Sequence, residues 1–231
     1  MFGGKMKALT FSYDDGVTQD KRLIEILNKY GLKCTFNLNS GLLGTANLLI
    51  RNGVTVAHCK PQSSEVRAIY EGHEIASHTL THPMLPELGE EEIIKQVEQD
   101  RLRLSELAAY EVTGFAYPGG GKNFDSRVSG IIRKNTGIKY CRTTVSSGSF
   151  DLQNNLFEFR PTVYHHLEFD RMFELGKDFI ELEPDTPKLF YVWGHSYEFD
   201  IDNSWDRFEE FCRMMSGKND IFYGTNREVL L

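Results

Sequence analysis

The chain has 231 residues, 40% of them hydrophobic, with a formal net charge of −7 and a pI near 5.5. That length suits a single sizeable core. The acidic balance argues against a nucleic-acid or anionic-membrane surface, and no apolar stretch approaches the roughly 18 residues of a membrane span. Cys34, Cys59, Cys141 and Cys212 are scattered with no C-x-x-C, so nothing in their spacing supports a disulfide. The first residues lack a basic segment followed by an apolar core. That leaves a cytoplasmic address for an intact chain and an exported one for a processed chain.

Strand-like and helix-like segments alternate, which predicts parallel β/α units in an α/β fold. Residues 7–13 alternate as a strand and end in the turn Asp14-Asp15-Gly16. Residues 20–30 carry Leu23, Ile26 and Leu27 at helical spacing, with Gly31 as a stop. Residues 34–38 read as the second strand, 40–61 as a long loop, and 63–71 as a helix begun by Ser63 or Ser64. Residues 90–110 form the longest helical pattern. A strand over 113–117 runs into Pro118-Gly119-Gly120-Gly121, followed by a helix over 125–136 and strands over 140–145 and 157–161. A helix over 167–182, a strand over 189–193 ending in Gly194-His195, a helix from Ser204 to 215 and a strand over 221–223 complete the pattern.

The chemistry-bearing residues share one address. Neighbouring residues of an extended chain point in opposite directions, so Asp14 and Asp15 can do two different jobs. Ser77-His78-Thr79-Leu80-Thr81-His82-Pro83 spaces two histidines four apart, which on a helical turn puts both imidazoles on one side. One aspartate plus these histidines completes a three-ligand metal set, and the other aspartate is left for proton work. That combination reads as a metal-dependent hydrolase. Asp14, Asp15, His78, His82, Tyr117, Gly119 and His195 all fall at or just past the C-terminal ends of predicted strands, the rim where parallel β/α folds assemble active sites. Trp193 reads either as core or as a sugar-stacking platform. His73 is assigned to structure or to support behind the metal ligands, with no metal role. His165-His166 are assigned to the start of the helix at Leu167, with a rim position as the alternative given their closeness to Arg160, and His58 carries no specific signal.

On these residues the chain resembles the polysaccharide deacetylases of carbohydrate esterase family 4. The matching text is Thr10-Phe11-Ser12-Tyr13-Asp14-Asp15-Gly16, Cys34-Thr35-Phe36, and Gly72-His73-Glu74-Ile75-Ala76-Ser77-His78-Thr79-Leu80-Thr81-His82-Pro83. The resemblance implies a distorted (β/α) barrel with fewer than eight parallel strands in a single domain, with a groove across its C-terminal face. It also implies that Asp15, His78 and His82 bind the metal, that Asp14 is the base and that His195 is the acid. Two departures stand out. Ala116 occupies the place of the arginine that pairs with the base in the family's third motif, and Tyr140-Cys141-Arg142-Thr143-Thr144 replaces its Asp-x-x-Asp-Trp text, which supplies a carboxylate to orient the acid histidine. Arg142 is expected to supply the lost cation beside Asp14, with Arg160 as second choice.

The implied cofactor is one divalent ion, for which neutral imidazoles and a carboxylate suit Zn²⁺, although the same set holds Fe(II) in oxygenases. The implied reaction removes N- or O-acetyl groups from a carbohydrate. The turn through Tyr117, Pro118 and Gly119 is expected to meet the substrate and to stabilise the oxyanion with a backbone N–H. The alternatives are a non-catalytic carbohydrate-binding protein that kept the groove, and a small-amide hydrolase of the same architecture.

Overall fold

The computed structural model describes residues 2–231. Strand β1 (Lys7–Asp14) is buried along its whole length, and its alternation sorts its side chains onto two faces. Leu9, Phe11 and Tyr13 join the main apolar core under the helices. Thr10, Ser12 and Asp14 face the other way, where Thr10 Oγ1 donates to Asn226 and Asn37 Nδ2 donates to Ser12 and Asp14. A strand buried on both sides is what a parallel sheet requires.

The remaining strands are β2 (Cys34–Leu38), β3 (Leu48–Arg51), β4 (Val54–Ala57), β5 (Glu74–Ser77), β6 (Gly114–Ala116), β7 (Tyr140–Arg142), β8 (Val163–Tyr164), β9 (Lys188–Gly194) and β10 (Ile221–Tyr223). Seven of them run in the order β7-β6-β5-β2-β1-β9-β8, all parallel, and curl into an incomplete barrel. β10 stands off this path and pairs with the first three residues of β1. The distorted barrel expected from the sequence is therefore present. Phe159 bridges Arg142 while Val163 pairs with Val192, so the chain between them touches both margins of the curl.

Three elements depart from expectation. The stretch 40–61 is not all loop, since β3 and β4 form a separate antiparallel hairpin within it. Ile50, Val54, Thr55 and Val56 carry strand propensity, but glycines at 44 and 53 mask it. The strand expected over 157–161 is instead a 3₁₀ turn, Leu156–Glu158, and the strand lies later, at β8. Asn155 starts that turn by accepting the Phe157 N–H, a local option that overrides a short apolar run. Third, the longest helix comprises Glu90–Ile94, a π-helical turn Lys95–Gln99, and Asp100–Ala108. No helix among the described residues is long and apolar enough to cross a membrane, and all four cysteines are free.

Candidate active site

The C-terminal strand ends open onto a cavity of about 550 Å³ lined by Asp14, Asp15, His78, His82, Gly119, Trp193 and His195. Asp14 ends β1 and five others follow β1, β5, β6 and β9, whose ends the curl brings together; Trp193 is the penultimate residue of β9. Tyr117 opens the turn after β6, but its side chain points into the core. It stacks on Phe124 and its hydroxyl donates to the Phe157 carbonyl, so neither it nor Pro118 lines the cavity. Trp193 is both core and wall, because it is 4% exposed yet borders the cavity and stacks on Tyr164 at 4.1 Å.

One donor atom each from Asp15, His78 and His82 fall within 4.8 Å of one another. His78 Nδ1 donates to the Ala116 carbonyl at 2.8 Å, which fixes the tautomer and leaves the Nε2 lone pair for a ligand. Burial pushes His78 down to about 4, helped by His82, so the ring is neutral. These donors fit a divalent ion of the Zn²⁺ type: two imidazoles, one carboxylate and an open side. The His-x-x-x-His segment is not a helical turn. It is an irregular loop with Thr79 at φ +71° and His82 at φ +60°.

Two further residues contact Asp15. His58 Nε2 lies 3.2 Å from its Oδ2, and the buried Lys60 ammonium donates to its backbone carbonyl. Burial alone would raise the Asp15 pKa, but the His58 bond and the Lys60 charge hold it well below the usual carboxylate range. His58 and Lys60 lie in the stretch read as loop, and no spacing signal distinguishes them.

Asp14 Oδ1 accepts from Asn37 Nδ2 at 2.8 Å and from the Arg142 guanidinium. Burial opposes ionisation of Asp14, yet the Arg142 charge and hydrogen bond, with the His195 charge, bring its pKa below the ordinary value. Arg142 is fully buried, and its guanidinium lies 4.5 Å from the Trp193 ring centroid. The sheet register explains its reach. Ala116 and Arg142 are direct partners on β6 and β7, so their side chains share a face and the short one leaves room for the long one. Arg160 is exposed, with its backbone bonded to Gln153.

Glu198, which the sequence analysis did not single out, serves His195. Its Oε1 lies 3.0 Å from His195 Nδ1 and accepts from Arg51 and the Tyr164 hydroxyl, while Oε2 accepts the His195 backbone N–H at 2.9 Å. Burial would lower the His195 pKa, but Glu198 first, with the charges of Asp15 and Asp14, raises it to about 9. Glu198 itself is brought down to about 2, because His195 outweighs the cost of burying the carboxylate. The i, i+3 spacing of His195 and Glu198 was a usable signal. His165 is buried between Tyr13 and Phe199, and His73 sits away from the cavity, accepting the Cys34 N–H at 3.2 Å.

The sequence profile of the polysaccharide deacetylase family matches residues 3–140. The chain belongs to that family. Solved structures agree on the fold. A Streptococcus pyogenes deacetylase in complex with acetate gives a TM-score of 0.52 at 21% identity, covering 64% of this chain and 61% of that one. A family 4 acetyl xylan esterase from Clostridium thermocellum in complex with a cobalt ion gives 0.58 at 14%, over 96% and 90%. A CE4 family pseudoenzyme from Bacillus anthracis gives 0.60 at 16%, over 97% and 66%. The chain thus spans less than two thirds of the length of the first and the last of these. Polysaccharide deacetylases of this fold include hydrolases and at least one protein described as a pseudoenzyme, so membership alone leaves turnover to be argued from the residues.

Proposed function

We propose that this chain is a metal-dependent deacetylase that removes acetyl groups from a carbohydrate. The observation that carries this is that both expected gaps in the proton-transfer machinery are filled: Arg142 stands beside Asp14 although residue 116 is alanine, and Glu198 holds His195 although the Asp-x-x-Asp-Trp text is missing. A binding-only protein has no use for a base and an acid each tuned by its own partner.

A divalent ion held by Asp15, His78 and His82, most simply Zn²⁺, supplies a Lewis acid for the acyl oxygen and a water of lowered pKa. Asp14 has Oδ1 committed to Arg142 and Asn37, so Oδ2 is the atom that takes the proton from the attacking water. The Tyr117 N–H already bonds the Arg142 carbonyl at 3.0 Å. Pro118 has no N–H, so the oxyanion donor falls to the glycines that follow, of which Gly119, at φ +79°, is the first of three bordering the cavity. His195 keeps Nδ1 on Glu198 and delivers its proton from Nε2 to the leaving group. With its pKa near 9 this acid is protonated throughout the neutral range, which suits expulsion of a sugar amine from an N-acetyl group.

The test measures acetate release from N- and O-acetylated glycans by the chelated chain and by the chain reloaded with Zn²⁺ or Co²⁺. Turnover is expected only after reloading. Asp14→Asn is expected to keep the metal and lose about 10²–10⁴-fold in rate, and His78→Ala or His82→Ala to lose both metal and rate. Metal-independent release, or no release from any acetylated glycan, overturns the proposal.

A further inference from the structure

The loop that carries His78 and His82 is held by groups that the mechanism above does not use. Thr79, a β-branched residue, sits at φ +71°, a conformation such residues adopt only when the surroundings impose it. The constraint comes from the long helix at its π-helical turn, Lys95–Gln99. There the Asp100 N–H bonds the Val97 carbonyl. The Gln96 carbonyl, which a regular α-helix would spend on residue 100, instead accepts the Leu80 N–H at 3.0 Å. The Gln96 side-chain oxygen accepts the Thr81 N–H at 3.2 Å. Asp100, fully buried, accepts the His78 N–H at 3.2 Å, the Ser77 hydroxyl at 2.6 Å and the Ser40 N–H at 2.7 Å.

Two backbone donors of the loop, at Leu80 and Thr81, therefore end on Gln96, while Asp100 takes the Ser77 hydroxyl and shares the His78 N–H with the Leu38 carbonyl, which lies nearer at 2.9 Å. The opposite side is closed by the end of β2. Asn39 Nδ2 donates to the carbonyls of His78 and Thr79 at 2.6 and 3.0 Å. The Gly41 N–H donates to the Leu80 carbonyl at 3.0 Å, and a Cβ on Gly41 would stand 2.6 Å from that oxygen.

We propose that Gln96 and Asp100 are positioning residues that clamp the 77–82 loop, with the π-helical turn as the device that lets one helix face present a carbonyl, an amide and a carboxylate to it. The consequence for metal binding rests on the Asp15, His78 and His82 reading; the clamp itself does not. Holding the strained loop fixes where both imidazoles stand relative to Asp15 before any ion arrives, so less ordering accompanies binding.

The experiment follows amide hydrogen exchange residue by residue on the full, metal-free chain, and Zn²⁺ affinity by competition with a chromogenic chelator. The variants are Asp100→Asn, Gln96→Met and Gln96→Glu. Gln96→Met removes the acceptor of the Thr81 N–H, and Asp100→Asn weakens the hold on Ser77 and Ser40. Both are expected to speed exchange at Thr81, and at Leu80 as the loop loosens, by about tenfold or more, with β1 unchanged, and to weaken Zn²⁺ binding about 10- to 100-fold. Gln96→Glu keeps an oxygen for the Thr81 N–H and is expected to recover most of both. Should Asp100→Asn unfold, Gln96→Met carries the same comparison. Unchanged loop exchange in a folded variant overturns the clamp, and a loosened loop that binds Zn²⁺ as tightly as the wild type overturns its role in positioning the metal ligands. Faster loop exchange in a chain whose wild type binds no Zn²⁺ supports the clamp and overturns the metal reading instead.

Discussion

The largest charge acting on Asp14 is that of Arg142 and the largest acting on His195 is that of Glu198; they act in opposite directions, and each can be removed separately. Arg142→Met strips the cation from Asp14 while keeping length and burial. The largest charge opposing burial is then gone, so the Asp14 pKa rises. The acid limb of the rate profile should move to higher pH, with a stability loss of about 3–5 kcal/mol for a broken buried pair. An unmoved acid limb would mean that Asp14 is not the titrating base. Glu198→Gln acts at the other limb. The folded His195 pKa near 9 depends on Glu198, and without it burial pulls the ring down, so the proton is lost at lower pH. The basic limb should shift downward by one or more units, and N-acetyl turnover should suffer more than O-acetyl turnover, since an amine leaving group needs the acid more. Equal loss on both substrates would argue that Glu198 holds the fold rather than the acid.

At the level of elements, register explains how the missing third-motif arginine can be replaced. Residues 116 and 142 are partners on adjacent strands with side chains on one face, so a guanidinium rooted on either strand can occupy the same interior space. The exchange Ala116→Arg with Arg142→Ala should therefore restore most of the activity that Arg142→Ala alone removes. Ala116→Arg alone should destabilise by overpacking beside the fully buried Arg142, by about 1–3 kcal/mol. Thermal melts and acetate release on the three variants decide this. The placement of Arg142 was legible because it ends a strand next to a vacant alanine. The conformation of the 78–82 loop was not legible. Its spacing suits a helical turn, and only tertiary bonds from Gln96, Asp100 and Asn39 impose the irregular path.

Across the whole molecule, the order of β/α units and the shared rim were readable because alternation and turn residues are local signals. The β3–β4 hairpin was not, since it pairs only with itself and is not part of the main sheet. It nevertheless contributes Leu49 and Arg51 to the cavity wall, and Arg51 Nη1 reaches Glu198 at 3.0 Å. Its outer face leaves Leu48 and Ile50 more than 70% exposed, while Leu49 and Val56 pack with Val17 and Tyr197. The hairpin base is already closed below this point, where the His58 N–H donates to the Asn47 carbonyl at 2.8 Å and the Lys60 N–H to Thr45 at 2.8 Å. Replacing residues 48–57 by Asn-Gly, the favoured two-residue hairpin turn, should therefore leave the barrel and the metal ligands in place. Far-UV circular dichroism should be nearly unchanged, and Tm should fall by about 2–8 °C, as losing one small apolar contact of a chain this size implies. Zn²⁺ affinity should hold, while KM for an acetylated oligosaccharide rises several-fold, because the wall is gone and the proton donors remain. Loss of Zn²⁺ binding in this variant would show that the hairpin holds the ligand set through His58 and Lys60, and would move it from substrate wall to structural support of the metal centre.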